Sequence, residues 1–224
     1  MVPVQDEETM RSRFSDYFNH DDDAPEYDRD VANERNPIRT GYADLIAYVG
    51  ARVSPGSRVL ELGTGTGNTI LHLPDDTVVT GVDVSAGMLA IAESKLRGRN
   101  VTLIQDDVLN YVTGHDLNEF DIIVSTYALH HLTLDERETM FSEIARKSPG
   151  TVRVIVGDLM YENEADKSRI ISLHHDAFPG MADDFDDEFF WDVESSEVML
   201  KRTGWVPAWK RFSDLSWVGE FRRA

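Results

Sequence analysis

The sequence predicts an α/β fold: a doubly wound, mostly parallel seven-stranded sheet that ends in an antiparallel hairpin. Three observations carry the prediction. Short β-branched runs recur at residues 58–62, 77–82, 101–104, 120–125 and 152–156. Helical or glycine-rich segments separate them. Two further β-rich runs close the chain, around 205–212 and 215–221, joined only by the polar turn Ser213-Asp214. Continuous apolar runs alternating with helices mark parallel strands covered on both faces, and a short polar link marks a hairpin. Sheets of this kind bind ligands at the carboxyl ends of their strands.

Taken in order, residues 1–36 are polar and strongly charged, and Asp21-Asp22-Asp23 and Pro25 interrupt any regular pattern. They read either as a frayed terminus leading into a surface helix or as an ordered lid over a ligand site. Between Arg39 and Arg52, Leu45, Ile46 and Val49 follow Tyr42 at helical spacing, and Ser54-Pro55-Gly56 ends that helix. The first strand leads into a glycine loop and a helical stretch to Leu73. The second leads into a helix across Met88, Leu89, Ile91, Ala92 and Leu96, and the fourth into a helix from Asp135 to Lys147. After Gly157 the alternation stops. Residues 158–190 carry histidines, aromatics and the acidic run from Asp183 to Glu188, and a helix from about Ser195 to Arg202 precedes the hairpin.

Bulk properties narrow the function. The chain has 224 residues and no cysteine, so disulfides, thiolate metal sites and cysteine nucleophiles are excluded. No apolar run approaches the ~20 residues that cross a bilayer, and Met1 to Arg13 lack the apolar stretch of a signal peptide. A cytoplasmic protein without membrane partners is expected. The formal charge of −19 repels polyanions, which counts against nucleic acid as a partner.

The chemistry concentrates at strand ends. Val59-Leu60-Glu61-Leu62-Gly63-Thr64-Gly65-Thr66-Gly67-Asn68 delivers a strand into a loop with three glycines. Glycine permits positive φ and removes the Cβ between backbone and ligand. The dinucleotide spacing G-x-G-x-x-G would need glycine where Asn68 stands, so a nicotinamide-dependent oxidoreductase fits poorly. Asp83 ends the second strand, 20 residues after Gly63, where an acid can accept hydrogen bonds from ribose hydroxyls. It also reads as a helix N-terminal charge before Ser85, a good N-cap. Asp106-Asp107-Val108 follows the third strand, where a carboxylate and an adjacent amide can read the edge of an adenine.

The segments VLELGTGTGN, GVDVSAGMLAIAESKL, IQDDVL and FDIIVSTYALHHL resemble, in this order, the motifs of class I S-adenosylmethionine-dependent methyltransferases. The resemblance is close over roughly residues 25–157. STYALHHLT with the terminal WVGEF is similar to a branch of small bacterial methyltransferases of undefined acceptor. It implies a Rossmann-like fold, S-adenosyl-L-methionine as cofactor and S-adenosyl-L-homocysteine as product. It implies that Glu61 approaches the methionine ammonium and that Gly63, Thr64, Gly65 and Gly67 admit the cofactor. Asp83 then binds ribose, Val84 and Met88 pack on the adenine, Asp107 and Val108 read it, and Asp106 is an alternative to Asp107. Ser125 faces the methionyl part, and Tyr27, in a Tyr27-Asp28 pair, belongs to a lid. One domain over 1–224 is expected, divided into an N-terminal lid and first helix (1–52), a cofactor-binding core (53–157), an acceptor-side insertion (158–194) and the C-terminal helix and hairpin (195–224).

A sulfonium methyl is already reactive, so positioning dominates and a general base is needed only for a protonated acceptor. His130 and His131 follow the fourth strand and are the candidate catalytic groups, with structural packing the competing role. His174-His175 make no expected metal site, since neighbours on a helix diverge by about 100° and the H-x-x-x-H spacing is absent. Phe178, Phe185, Phe189, Phe190 and Trp191 roof an acceptor pocket or cover the sheet, and the acidic run is a solvated surface. The expected partner is a small-molecule methyl acceptor. The alternatives are a non-catalytic S-adenosylmethionine or S-adenosylhomocysteine-binding module, a tRNA methyltransferase and a nucleotide-dependent oxidoreductase.

Overall fold

The computed structural model describes residues 10–224; the first nine residues of the expected lid lie outside the described residues. Five parallel strands form the centre: β1 (Arg58–Leu62), β2 (Val78–Asp83), β3 (Asn100–Gln105), β4 (Ile122–Thr126) and β5 (Arg153–Tyr161). A two-residue strand β6 (Trp191–Asp192) pairs with the end of β5. The hairpin strands β7 (Trp205–Arg211) and β8 (Ser216–Arg223) complete the order β3-β2-β1-β4-β5-β8-β7, with β8 antiparallel to β5. Seven strands lie on this path, as the sequence predicts, and β6 is an addition. From β1 the chain runs outward to β2 and β3, then returns to place β4 on the other side. That reversal opens a crevice at the carboxyl ends of β1 and β4.

Among the described residues, eight helices cover the sheet: α1 (Ala24–Val31), α2 (Tyr42–Gly50), α3 (Ala86–Lys95), α4 (Val108–Gly114), α5 (Leu134–Lys147), α6 (Glu164–His174), α7 (Met181–Asp187) and α8 (Val193–Arg202). One buried cluster is organised by the Phe141 ring, which meets Trp191, Trp205 and Phe221 edge-on at 6.1, 6.1 and 5.4 Å. The other joins Leu45, Ile46 and Val49 of α2 to Ile70, Val124 and Val218. Local chemistry sets the boundaries. Thr133 and Glu136 cap α5 reciprocally, Ser85 caps α3 by accepting from the Met88 amide, and Asp107 caps α4.

Several expectations change. Pro25 does not break structure; it occupies the first turn of α1, where no amide proton is required. The stretch after the glycine loop is a 3₁₀ turn over Ile70–His72 that ends before Pro74, not a full helix. β5 runs on to Tyr161 because β8 pairs along Arg153–Leu159 and β6 takes Met160 and Tyr161. Phe185, Phe190 and Trp191 are buried in the two clusters and Phe178 packs against one, so they cover the sheet instead of roofing a pocket. Among the described residues, no helix is long and apolar enough to cross a membrane.

Candidate functional site

A cavity of about 720 Å³ occupies the crevice at the strand ends. That volume lies within the usual span of sites for metabolites and cofactors. Gly63, Thr64 and Gly65 form one wall. Their loop leaves β1 in left-handed conformations, with φ of 75° at Gly63, 53° at Gly65 and 82° at Gly67. The three glycines are there for different reasons. A Cβ on Gly63 would lie 2.2 Å from the Ala128 Cβ, and one on Gly67 would lie 2.9 Å from Leu96 Cδ1. A Cβ on Gly65 would meet nothing within 4 Å, so only this glycine leaves open space. Gly67 is not in the cavity wall.

The loop is held from both sides. Asp83, at the end of β2, accepts the Gly65 amide at 2.7 Å with one oxygen and the Ser85 amide at 2.9 Å with the other. Burial nonetheless raises its pKa, against the pull of those two amides. On the far side Asp28 accepts from Thr66 Oγ1 at 2.6 Å, Asn68 Nδ2 at 3.0 Å and Lys95 Nζ at 2.8 Å. In the sequence Asp28 carries no signal beyond its pairing with Tyr27. Glu61, on β1, is 1% exposed and lies behind the cavity wall, outside its lining, with neither carboxylate oxygen hydrogen-bonded. Burial pushes its pKa up to about 8. The hydroxyls of Thr69 and Thr64 oppose the shift, but Thr69 pairs with Thr126 at 2.6 Å and Thr64 contacts the Glu61 carbonyl at 3.5 Å.

At the third strand end the two aspartates separate. Asp107 and Val108 line the cavity. Asp106 does not; its carboxylate accepts from the Asp107 amide and Asn110 Nδ2, both at 2.8 Å. Asp107 Oδ1 accepts from the Leu109 and Asn110 amides and, from the N-terminal segment, the Ser12 amide at 3.2 Å. Val84, Met88 and Tyr27 also line the cavity. Burial raises the Tyr27 phenol to about 12, so it stays protonated. Ser125 points away, donating to the Leu62 carbonyl at 2.7 Å, and its neighbour Thr126 faces the cavity, as strand alternation requires. Tyr127 follows in a left-handed conformation with φ 51°, held by its amide on the Gly157 carbonyl at 2.8 Å and its hydroxyl 2.5 Å from Ser216 Oγ. Strain of this kind gathers at functional sites.

From the N-terminal segment, Ser12, Ser15, Phe18, His20 and Asp23 line the cavity. Besides Ser12 on Asp107, the Arg13 amide donates to Glu136 at 2.8 Å, and Asp21 accepts from Ser85 Oγ at 2.6 Å and the Gly87 amide at 2.8 Å. The segment is therefore fastened to the starts of α3, α4 and α5. Phe18 stacks on His131 with ring centroids 4.0 Å apart, and Phe14 meets Phe189 at 5.2 Å.

At the inner end stand His130, His131 and Glu188, all in the cavity wall. Asp158, fully buried on β5, accepts from His130 Nδ1 at 2.5 Å, the His130 amide at 3.0 Å, the Leu159 amide at 2.9 Å and Trp191 Nε1 at 3.1 Å. Burial alone would lower the pKa of His130, but the adjoining Asp158 carboxylate carries it above the ordinary value. His130 Nε2 faces Glu188 at 3.5 Å. Burial and the neighbouring His130 charge lower His131 strongly and His20 less. Among the described residues, Glu188 is the one member of the acidic run in the cavity wall, and neither it nor Asp158 carries a sequence signal of its own. His174 pairs with Asp214 at 3.0 Å, away from this end.

An open parallel sheet closed by an antiparallel hairpin, with its cavity at the β1/β4 crevice, is the Rossmann-like architecture of class I methyltransferases. A methyltransferase domain profile matches residues 59–148. An uncharacterized methyltransferase of Anoxybacillus flavithermus is 30% identical over 219 residues, spanning 94% of this chain and 98% of the relative. One from Oceanobacillus iheyensis is 29% identical over 93% of this chain and 97% of the relative. Among solved structures, a DhpI–SAM–HEP complex superposes with a TM-score of 0.69 at 20% identity, covering 93% of this chain and 96% of its own. Magnesium protoporphyrin IX methyltransferase from Synechocystis PCC 6803, solved with bound SAH, gives 0.68 at 20% identity over 94% and 98%. The chain belongs to the class I S-adenosylmethionine-dependent methyltransferase family.

Proposed function

We propose that the cavity takes S-adenosylmethionine along the carboxyl ends of β1, β2 and β3 and a small-molecule methyl acceptor at the His130 end. The observation that carries the reading is the convergence of Gly65, Asp83 and Asp107, from three successive strand ends, on one cavity. The residues fit the cofactor. Glu61 is a buried carboxylate without a partner, suited to an ammonium group, and Gly65 leaves the space that any side chain would fill. Asp83 holds the loop and offers its carboxylate to ribose hydroxyls. Val84 and Met88 supply apolar contact for the adenine, and Asp107 and Val108 supply an acceptor and a donor for its edge. Gly63 and Thr64 shape the loop; Gly67 and Ser125 support it from outside the cavity, and Asp106 is the weaker of the two adenine candidates.

When bound, the cofactor supplies a methyl group on a positively charged sulfur. The chain's task is to align an acceptor atom with it and to exclude water. Tyr27, the lid and Tyr127 close the site around that axis. His130, with Asp158 fixing its ring, and His131 are the groups that meet the acceptor. A roofed cavity and a net charge of −19 favour a metabolite over an RNA. Titration with S-adenosylhomocysteine by calorimetry, followed by transfer of labelled methyl into a metabolite extract, tests the proposal. Binding without any labelled product would sink the catalytic part, and no binding would sink the whole.

A further inference from the structure

We propose that His130, His131 and Glu188 form a site for a divalent transition cation at the inner end of the cavity. The inference rests on the proposed function only in taking that end to receive the acceptor. One ring nitrogen of each histidine and one carboxylate oxygen of Glu188 lie within 4.8 Å of one another. In a tetrahedral site with bonds of about 2.0–2.1 Å, ligand atoms stand roughly 3.4 Å apart. His130 Nε2 and Glu188 Oε2 already lie 3.5 Å apart. Neighbouring histidines on an α-helix diverge, but Leu129–His131 is a 3₁₀ turn and the two rings approach to 4.1 Å between centroids.

Two features set this cluster apart from a buried ion pair. Asp158 holds Nδ1 of His130 at 2.5 Å, which fixes the ring and directs Nε2 at Glu188, so that a bound cation would take the place of the Nε2 proton. A carboxylate behind a histidine is the usual means of orienting a metal ligand, and here that carboxylate is itself anchored by Trp191 and two backbone amides. His131 supplies the second feature. Its Nδ1 is buried and has no hydrogen-bond partner, while its Nε2 stands 3.5 Å from His20 Nε2 on the lid. Two imidazoles and one carboxylate suit zinc-like cations better than magnesium or calcium, which prefer all-oxygen sites. Three protein ligands leave a position open to the cavity, the arrangement of catalytic rather than structural sites. The acceptor class that follows is a small molecule with a hydroxyl, thiol or carboxylate able to bind the cation beside the methyl donor.

The test uses the full chain, stripped with a chelator and titrated with Co(II), then Zn(II). Visible absorption of Co(II) reports its coordination, and S-adenosylhomocysteine calorimetry on the same samples reports the fold and the cofactor site. One equivalent of Co(II) should give ligand-field bands that Zn(II) displaces. Glu188→Gln should weaken Co(II) at least tenfold while leaving S-adenosylhomocysteine affinity in place, and His131→Ala should weaken Co(II) at least as much. Asp158→Asn, which removes no ligand, should weaken it by about ten- to a hundredfold. Absent bands, or bands unchanged in a His130→Ala/Glu188→Gln double variant, would overturn the site. Co(II) bands in a chain that ignores S-adenosylhomocysteine would support the cation site and sink the cofactor reading alone.

Discussion

Asp83 and Gly65 are joined across the cavity floor by a 2.7 Å hydrogen bond from the glycine amide to the carboxylate. The second Asp83 oxygen holds the Ser85 amide at the start of α3, so one side chain ties the glycine loop to the next helix. Hydrogen bonds to a charged group contribute about 1.5–3 kcal/mol each. Asp83→Ala should therefore weaken S-adenosylhomocysteine roughly ten- to a hundredfold in calorimetry. An affinity within twofold of the parent would remove Asp83 from the cofactor site.

Glu61 makes the cofactor-free protein sensitive to pH. Its carboxyl keeps its proton to about pH 8 in the fold, against an ordinary value of 4.5. Between these values the unfolded chain binds fewer protons, so stability falls as pH rises and the loss is complete above about 8. The penalty is on the order of a few kcal/mol. Thermal denaturation should show Glu61→Gln gaining on the parent as pH climbs from 5 to 8.5. A constant gap across that range would contradict the burial argument.

The same carboxyl predicts a proton released on binding. If the cofactor ammonium pairs with ionised Glu61, the proton it holds near pH 7 must leave. Calorimetry in two buffers of different ionisation heat should show this release in the parent and lose it in Glu61→Gln. Equal heats in both buffers would mean that the ammonium is met elsewhere.

These two predictions mark what the sequence disclosed and what it withheld. The places of Glu61 and Asp83 at the ends of β1 and β2 are legible because both strands are strongly β-branched and the glycine loop fixes where they end. The choice between Asp106 and Asp107 is not, since only the turn into α4 decides which carboxylate faces inward. Ser125 was misplaced by one position of strand alternation; the cavity takes Thr126. Asp158 and Glu188 lie 28 and 58 residues beyond His130; the pairing of β4 with β5 brings the first beside it, and the pairing of β5 with β6, just after Glu188, brings back the second. No local pattern encodes that meeting.

Asp21 fastens the lid to α3 through Ser85 Oγ and the Gly87 amide. Asp21→Ala should leave the sheet intact and speed release of S-adenosylhomocysteine several-fold by stopped flow, with faster proteolysis within residues 10–23. Unchanged release would show that the lid does not control exit.

The glycines divide by what the loop's geometry requires at each position. Gly65→Ala incurs only the left-handed backbone cost of about 1–2 kcal/mol and projects a methyl into open space, so it should fold and bind S-adenosylhomocysteine at least tenfold more weakly. Gly63→Ala adds a clash with Ala128 and should cost about 2–5 kcal/mol in denaturant unfolding. Equal stability of the two variants would refute the distinction.

The contact between Gly63 and Ala128 also limits how such a protein can diverge. A lineage that enlarged residue 63 would first have to pare residue 128 to glycine, whose Cα would then sit 3.7 Å away, and the left-handed backbone would still tax the newcomer. Neither loop can drift alone. Novelty in acceptor choice is thus channelled away from this junction and toward the N-terminal cover and the segment after Gly157, where inheritance leaves the chain more room.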